Sequence, residues 1–146
     1  MAGLTDFAEN KVVDALWRAQ AIGTPATWYF GLYTATPGET GGGTEVSGGS
    51  YARIGVTAAL ANFAGTQSAG STVASSGTGG QTSNNGTITY AAPSANWGVV
   101  SQMGVFDAVS AGNLWTFGTI TPSAKTINNG DAAPSYAAAA WTWTID

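Results

Sequence analysis

The sequence contains no cysteine and no histidine. Without cysteine there are no disulfides, thiolate nucleophiles or zinc–thiolate sites, and nothing follows about redox compartment. Without histidine, Ser-His-Asp and Cys-His nucleophile systems are excluded as well. Charge is also scarce, at 8% of residues against about 25% in ordinary domains. The four cations (Lys11, Arg18, Arg53 and Lys125) are scattered and the net charge is −4. Phosphate neutralisation needs clustered cations, so neither a nucleic-acid footprint nor a polybasic membrane patch is expected. No apolar run approaches the roughly 18 residues of a membrane span. Asp6, Glu9, Lys11, Asp14 and Arg18 interrupt the apolar core that a signal peptide would need. Synthesis in a cytoplasm is therefore expected.

Aromatic residues are plentiful, with six Trp, five Tyr and five Phe among 146 residues. A disordered chain would be poor in them, so low charge here signals a folded β-protein with a neutral surface. The length suits one domain spanning residues 1–146, with a core large enough to stand without cross-links.

Residues 4–20 have the only good helical pattern. Thr5 is the expected N-cap, Asp6 and Glu9 complement the positive helix end, and Arg18 lies in the last turn. Gly23 and Pro25 are expected to stop the run. Leu4, Ala8, Val12, Ala15, Leu16 and Ala19 form one apolar stripe; Val13 and Trp17 lie outside it. Those two either broaden the buried face or meet another subunit.

Period-two alternation marks strands at 27–33, 51–57, 87–91, 99–107, 114–120 and 138–145, with a short edge at 125–127. Trp28, Phe30 and Leu32 face opposite to Tyr29 and Tyr33, so 27–33 is expected to be central or covered on both faces. Residues 27–33 and 51–57 are expected to form a hairpin. Ser110 to Asn113 reads as a second hairpin turn, and Asn128 to Asp131 as a turn whose residues tolerate left-handed backbone. Six to eight strands with one N-terminal helix predict a mainly β fold, an antiparallel β-sandwich or barrel-like sheet. Two stretches lack this patterning. Residues 36–50 are glycine-rich, and 65–86 consist of small polar residues with Val73 as the one large apolar side chain. A structureless loop of the second length is unusual inside a compact domain. An extended arm laid on a neighbouring molecule is favoured over a free loop.

The segments Leu-Thr-Asp-Phe-Ala-Glu-Asn-Lys (4–11), Trp-Tyr-Phe-Gly-Leu-Tyr-Thr-Ala-Thr-Pro (28–37) and Gly-Gly-Thr-Glu-Val-Ser-Gly-Gly-Ser-Tyr-Ala-Arg (42–53) carry a family resemblance. So do Ala-Asn-Trp-Gly-Val-Val-Ser-Gln-Met-Gly-Val-Phe-Asp (95–107) and Asn-Asn-Gly-Asp (128–131). Together they resemble small virion proteins of tailed phages, often labelled tail fibre proteins; the chain is also similar to capsid decoration (cement) proteins. The resemblance implies a structural protein of the virion, made in the host bacterial cytoplasm. It brings no catalytic residue, metal or cofactor.

The expected role is that of a non-enzymatic, homo-oligomeric capsid decoration protein packed on the major capsid protein. The alternative is a tail-fibre or tail-tip component that packs on tail proteins and binds a host receptor. Val13, Trp17, Glu45, Tyr51, Arg53 and Trp97 are the candidate intermolecular contacts. Trp17 and Trp97 stand out because they lie outside regular strands, whereas Trp28, Trp115, Trp141 and Trp143 sit in strands and are expected in the core or as sugar platforms. Arg53 is expected to pair with Glu45 or with a neighbour's carboxylate, an exposed pair contributing about 0–1 kcal/mol. An enzymatic reading would need Glu39 and Glu45 as a glycosidase pair, on a loop too soft for that task.

Overall fold

The computed structural model describes residues 3–120 and 123–145. Among them are one helix, α1 (Asp6–Trp17), and twelve short strands. In chain order these are β1 (Gly3–Leu4), β2 (Thr27–Ala35), β3 (Thr44–Glu45), β4 (Ile54–Thr57), β5 (Gln81–Ser83) and β6 (Ile88–Thr89). They continue with β7 (Gly98–Val100), β8 (Gln102–Phe106), β9 (Leu114–Thr119), β10 (Lys125–Ile127), β11 (Ser135–Tyr136) and β12 (Thr142–Thr144). The fold is mainly β, antiparallel and sandwich-like, as the alternation predicts, with more and shorter strands.

The main sheet runs β1-β9-β8-β2, and the far edge of β2 is shared by two partners. Its first half pairs β4 and its last residues pair β3. The predicted central strand is therefore central, and both predicted hairpins form. Three two-stranded ribbons, β7/β10, β6/β11 and β5/β12, complete the topology. The main core gathers Phe30, Leu32, Met103 and Val105 from the sheet with Ile88, Tyr90, Trp97, Val100 and Ile127 from the ribbon segments. Tyr33, Phe106 and Leu114 form a smaller cluster, joined by Tyr29 and Phe117.

Two glycines make room for that second cluster. Gly31 and Gly104 are direct partners across β2 and β8. A Cβ on Gly104 would lie 2.8 Å from Leu114 and 2.9 Å from the Tyr33 ring; one on Gly31 would lie 2.8 Å from Glu45 Oε1. The missing side chains let the Tyr33 and Phe106 rings stack, 6.2 Å apart and 10° from parallel.

A register shift between Val105 and Phe106 corrects one expectation. Val105 pairs Thr116 while Phe106 pairs Leu114, so Trp115 is the extra residue of a bulge. Simple alternation assigns Trp115 to the face of Phe117. Instead it packs edge-on against Trp28, with centroids 5.2 Å apart, and Leu114 joins the cluster of Phe106.

The segment 65–86 is not an extended arm. Its last residues form β5 against β12, and Asn84 is buried. The Asn84 amide donates to Ala137 O at 2.9 Å and Gly86 O at 2.7 Å, and its oxygen accepts from the Trp141 N–H at 2.9 Å. Thr66 Oγ1 donates to Ser76 O at 2.9 Å, closing the loop on itself. Residues 36–50 are also tied down: Gly38 and Gly41 bridge, and Val46 is buried with its N–H on Leu32 O. The strand expected over 138–145 shrinks to β12, because Ala139 adopts φ +60° in a turn.

Turn residues behave as read from the sequence. Asp131 Oδ2 accepts from Asn128 N–H at 2.7 Å. Asp107 Oδ1 accepts from Asn113 N–H at 2.7 Å, and Oδ2 from the Asn113 amide and the Trp115 indole. Burial pushes the Asp107 carboxyl up, but these hydrogen bonds outweigh it and hold it below the usual value.

Candidate interaction surface

Helix α1 is fastened at one end only. Thr5 caps it, accepting from Ala8 N–H, while its own hydroxyl donates to Leu114 O and its N–H to Trp115 O. Asp6 N–H donates to Glu39 O at 3.0 Å, Ala8 is fully buried, and Phe7 meets Trp115 edge-on at 5.4 Å. Beyond the second turn this contact ends. Val13 is 51% exposed, Leu16 71% and Trp17 83%. The helix stops at Trp17, before Gly23 and Pro25, with Ala19 at φ +54° and Gln20 N–H closing back to Asp14 O. Leu16, which the apolar stripe assigns to the buried face, is thus uncovered.

Beside the helix lies a groove of about 650 Å³. The main sheet contributes Trp28, Val105, Trp115 and Thr116; the helix and the segment after it contribute Val12, Ile22 and Thr24. Leu60 and Phe63 line it from the stretch after β4, and Trp141, Trp143 and Ile145 from the chain's end. Trp28, Trp115, Trp141 and Trp143 therefore meet in one groove, where Trp115 alone of the four is buried, at 8% exposure. Among the described residues, no charged side chain lines it. Leu60 and Ile145 remain mostly exposed.

Three of the expected contact residues meet one another within the chain. Glu45, Tyr51 and Arg53 form a network at the point where β3 and β4 meet along β2. The β2 edge there leaves the Leu32 N–H between two ladders, and Tyr51 Oη accepts it at 2.8 Å. The Tyr51 hydroxyl donates to Glu45 Oε1 at 2.8 Å. Arg53 grips the same carboxylate with two bonds of 2.8 and 2.7 Å and donates to Ala108 O and Ala111 O in the β8–β9 turn. Its guanidinium lies 3.3 Å from the centre of the Phe106 ring. The Arg53–Glu45 pair expected from the sequence forms, and it is mostly shielded from solvent: the Arg53 side chain is 8% exposed and that of Glu45 24%. Burial works against the Arg53 charge, but the Glu45 hydrogen bonds and charge raise its pKa overall. Burial, with Glu45 nearby, raises Tyr51 well above its ordinary value although the Leu32 N–H pulls the other way, and lifts Tyr33 to about 12.

Trp97 is also held within the chain. It is 6% exposed and donates its indole N–H to Gly49 O at 3.0 Å, so it packs within its own chain. Gly49 has φ +55°, and a Cβ there would lie 2.9 Å from the indole nitrogen. Of the six expected contact residues, Val13 and Trp17 are the two with broad open surface. The groove itself escaped sequence reasoning, because its walls come from segments scattered between Leu4 and Ile145.

No helix among the described residues is long and apolar enough to cross a membrane. Fold and family define the class: a mainly β virion protein of the tailed-phage fibre type. The family that matches residues 3–144 is described as Podophage GP4 fiber I protein gp80, and the chain belongs to it. A search of curated proteins found no match.

Proposed function

We propose that this chain is a fibre subunit mounted on the tail of the phage particle. It acts without catalysis, by packing neutral and apolar surface against other virion proteins. Family membership over residues 3–144 carries this reading. The internal commitment of Glu45 supports it, because the carboxylate needed for a glycosidase pair with Glu39 is already bound by Arg53 and Tyr51. A capsid decoration protein would rest on the same kind of packing, and copy number separates the two. Gel densitometry of purified particles, with antibody labelling in electron micrographs, is expected to give a small number of copies at the tail. Hundreds of copies spread over the head would favour decoration and overturn the fibre reading.

A further inference from the structure

The turn between β8 and β9 is strained, and two charged side chains hold it. Ala111 sits at φ +51°, a left-handed conformation that an L side chain adopts at a cost. On the carbonyl side, Arg53 donates to Ala108 O at 2.9 Å and to Ala111 O at 2.7 Å. On the other side the Asp107 carboxylate accepts three bonds. They come from the Asn113 N–H at 2.7 Å, the Asn113 amide at 2.8 Å and the Trp115 indole at 3.2 Å. Gly112 lets the carboxylate come this close, since a Cβ there would lie 2.6 Å from Asp107 Oδ1. Strain of this kind persists only where the surroundings over-determine it, and it gathers at switch regions.

The bulge that Asp107 fixes is also the anchor of α1. The carbonyls of Leu114 and Trp115 receive the Thr5 hydroxyl and N–H, and Phe7 meets the Trp115 ring edge-on. Within the helix, Ala8 is the buried residue. A free helix of 12 residues is marginal in water, so α1 keeps its helical bonds only while this attachment holds. We propose that Asp107 is an acid-sensitive latch on α1. Ionised, its carboxylate holds the turn and the bulged Trp115 that seat the helix; protonated, it lets both go and α1 leaves the sheet. The other charged and titratable groups around the turn come from four sides. Arg53 on β4 has Glu45, Tyr51 and Tyr33 about it, and Tyr29 on β2 packs with Phe106. Asp6 and Glu39 face Gly112 and Asn113 across a cavity of about 400 Å³, and Lys11 stands over the Phe7 ring. Among the described carboxylates, Asp107 is the one that bonds the bulged residue.

Burial pushes the Asp107 carboxyl up, but the bonds from Asn113 and Trp115 outweigh it and hold it below the usual value. The latch is therefore closed above about pH 4 and opens as pH falls through the lowered folded value. The test is hydrogen exchange of the whole chain, read by mass spectrometry as protection factors for α1 and for β2 and β8. Asp107→Asn supplies one oxygen where three donors converge. At neutral pH this variant is expected to lose about ten- to a hundredfold of the protection in α1, while β2 and β8 keep theirs. In the native chain the same selective loss is expected as pH falls below about 4. Asp131→Asn removes another turn carboxylate, one that accepts from Asn128 N–H, and is expected to leave α1 protected as in the native chain. Unchanged protection of α1 in Asp107→Asn overturns the proposal. So does a loss shared equally by α1, β2 and β8, in that variant or in acid, or an equal loss from α1 in Asp131→Asn.

Discussion

Tyr51 and Arg53 decide how the glycine-rich stretch after β2 attaches to the sheet. Tyr51→Phe removes the acceptor of the Leu32 N–H and one donor to Glu45. An unsatisfied buried group costs about 1–3 kcal/mol, and chemical unfolding is expected to show a loss in that range. Arg53→Met leaves Glu45 without its fork. Because Glu45 keeps some solvent contact, the expected loss is roughly 2–3 kcal/mol, below the 3–5 of a fully buried pair. A loss under about 0.5 kcal/mol in either variant, the scale of ordinary surface changes, would mean the network is not as described. Tyrosine ionisation gives an independent check. Burial raises Tyr33, Tyr51, Tyr90 and Tyr136, with Tyr33 and Tyr136 at about 12. A tyrosine that ionises later when folded stabilises the fold fully below pH about 10, and that contribution is lost as pH rises through the folded value. Absorbance at 295 nm should therefore show most tyrosines titrating late, together with unfolding. Five tyrosines titrating near pH 10 with unchanged circular dichroism would contradict the burial described.

At the scale of elements, the turn that follows α1 holds Ala19 in a left-handed conformation that favours glycine. Ala19→Gly is expected to stabilise the chain by about 0.5–1 kcal/mol and raise Tm by roughly 1–4 °C; a lower Tm would contradict that helix end. The Thr5 cap was legible because an N-cap is a local pattern of one hydroxyl before an acidic first turn. The two hairpins were legible because each is alternation around a turn. Trp115 was not, since a bulge depends on how the partner strand pairs. Nor was Asn84, whose sequence neighbourhood is all small polar residues. Its burial comes from partners at Ala137 and Trp141, more than fifty positions away. Leu16 misled for the opposite reason: helical periodicity reports an apolar face but not whether the same chain covers it.

For the whole molecule, sequence composition already conveyed a charge-poor β-protein without histidine or cysteine chemistry. The groove was invisible in it, because a surface assembled from helix, sheet and chain end has no local signature. Glycines at 31 and 104 illustrate the same limit. Each reads as an unremarkable strand glycine until the two are paired under the Tyr33 and Phe106 rings. Gly104→Ala, whose Cβ would meet Leu114 at 2.8 Å, is expected to cost about 1–3 kcal/mol in unfolding free energy through overpacking; an unchanged unfolding midpoint would contradict the close fit.

The most direct measurement of the account is a cryo-electron reconstruction of the intact particle at side-chain resolution. It should place this chain in a tail fibre, with the Trp17 side chain buried against another protein chain. Finding the chain over the capsid shell, or in the fibre with Trp17 facing solvent, would contradict it.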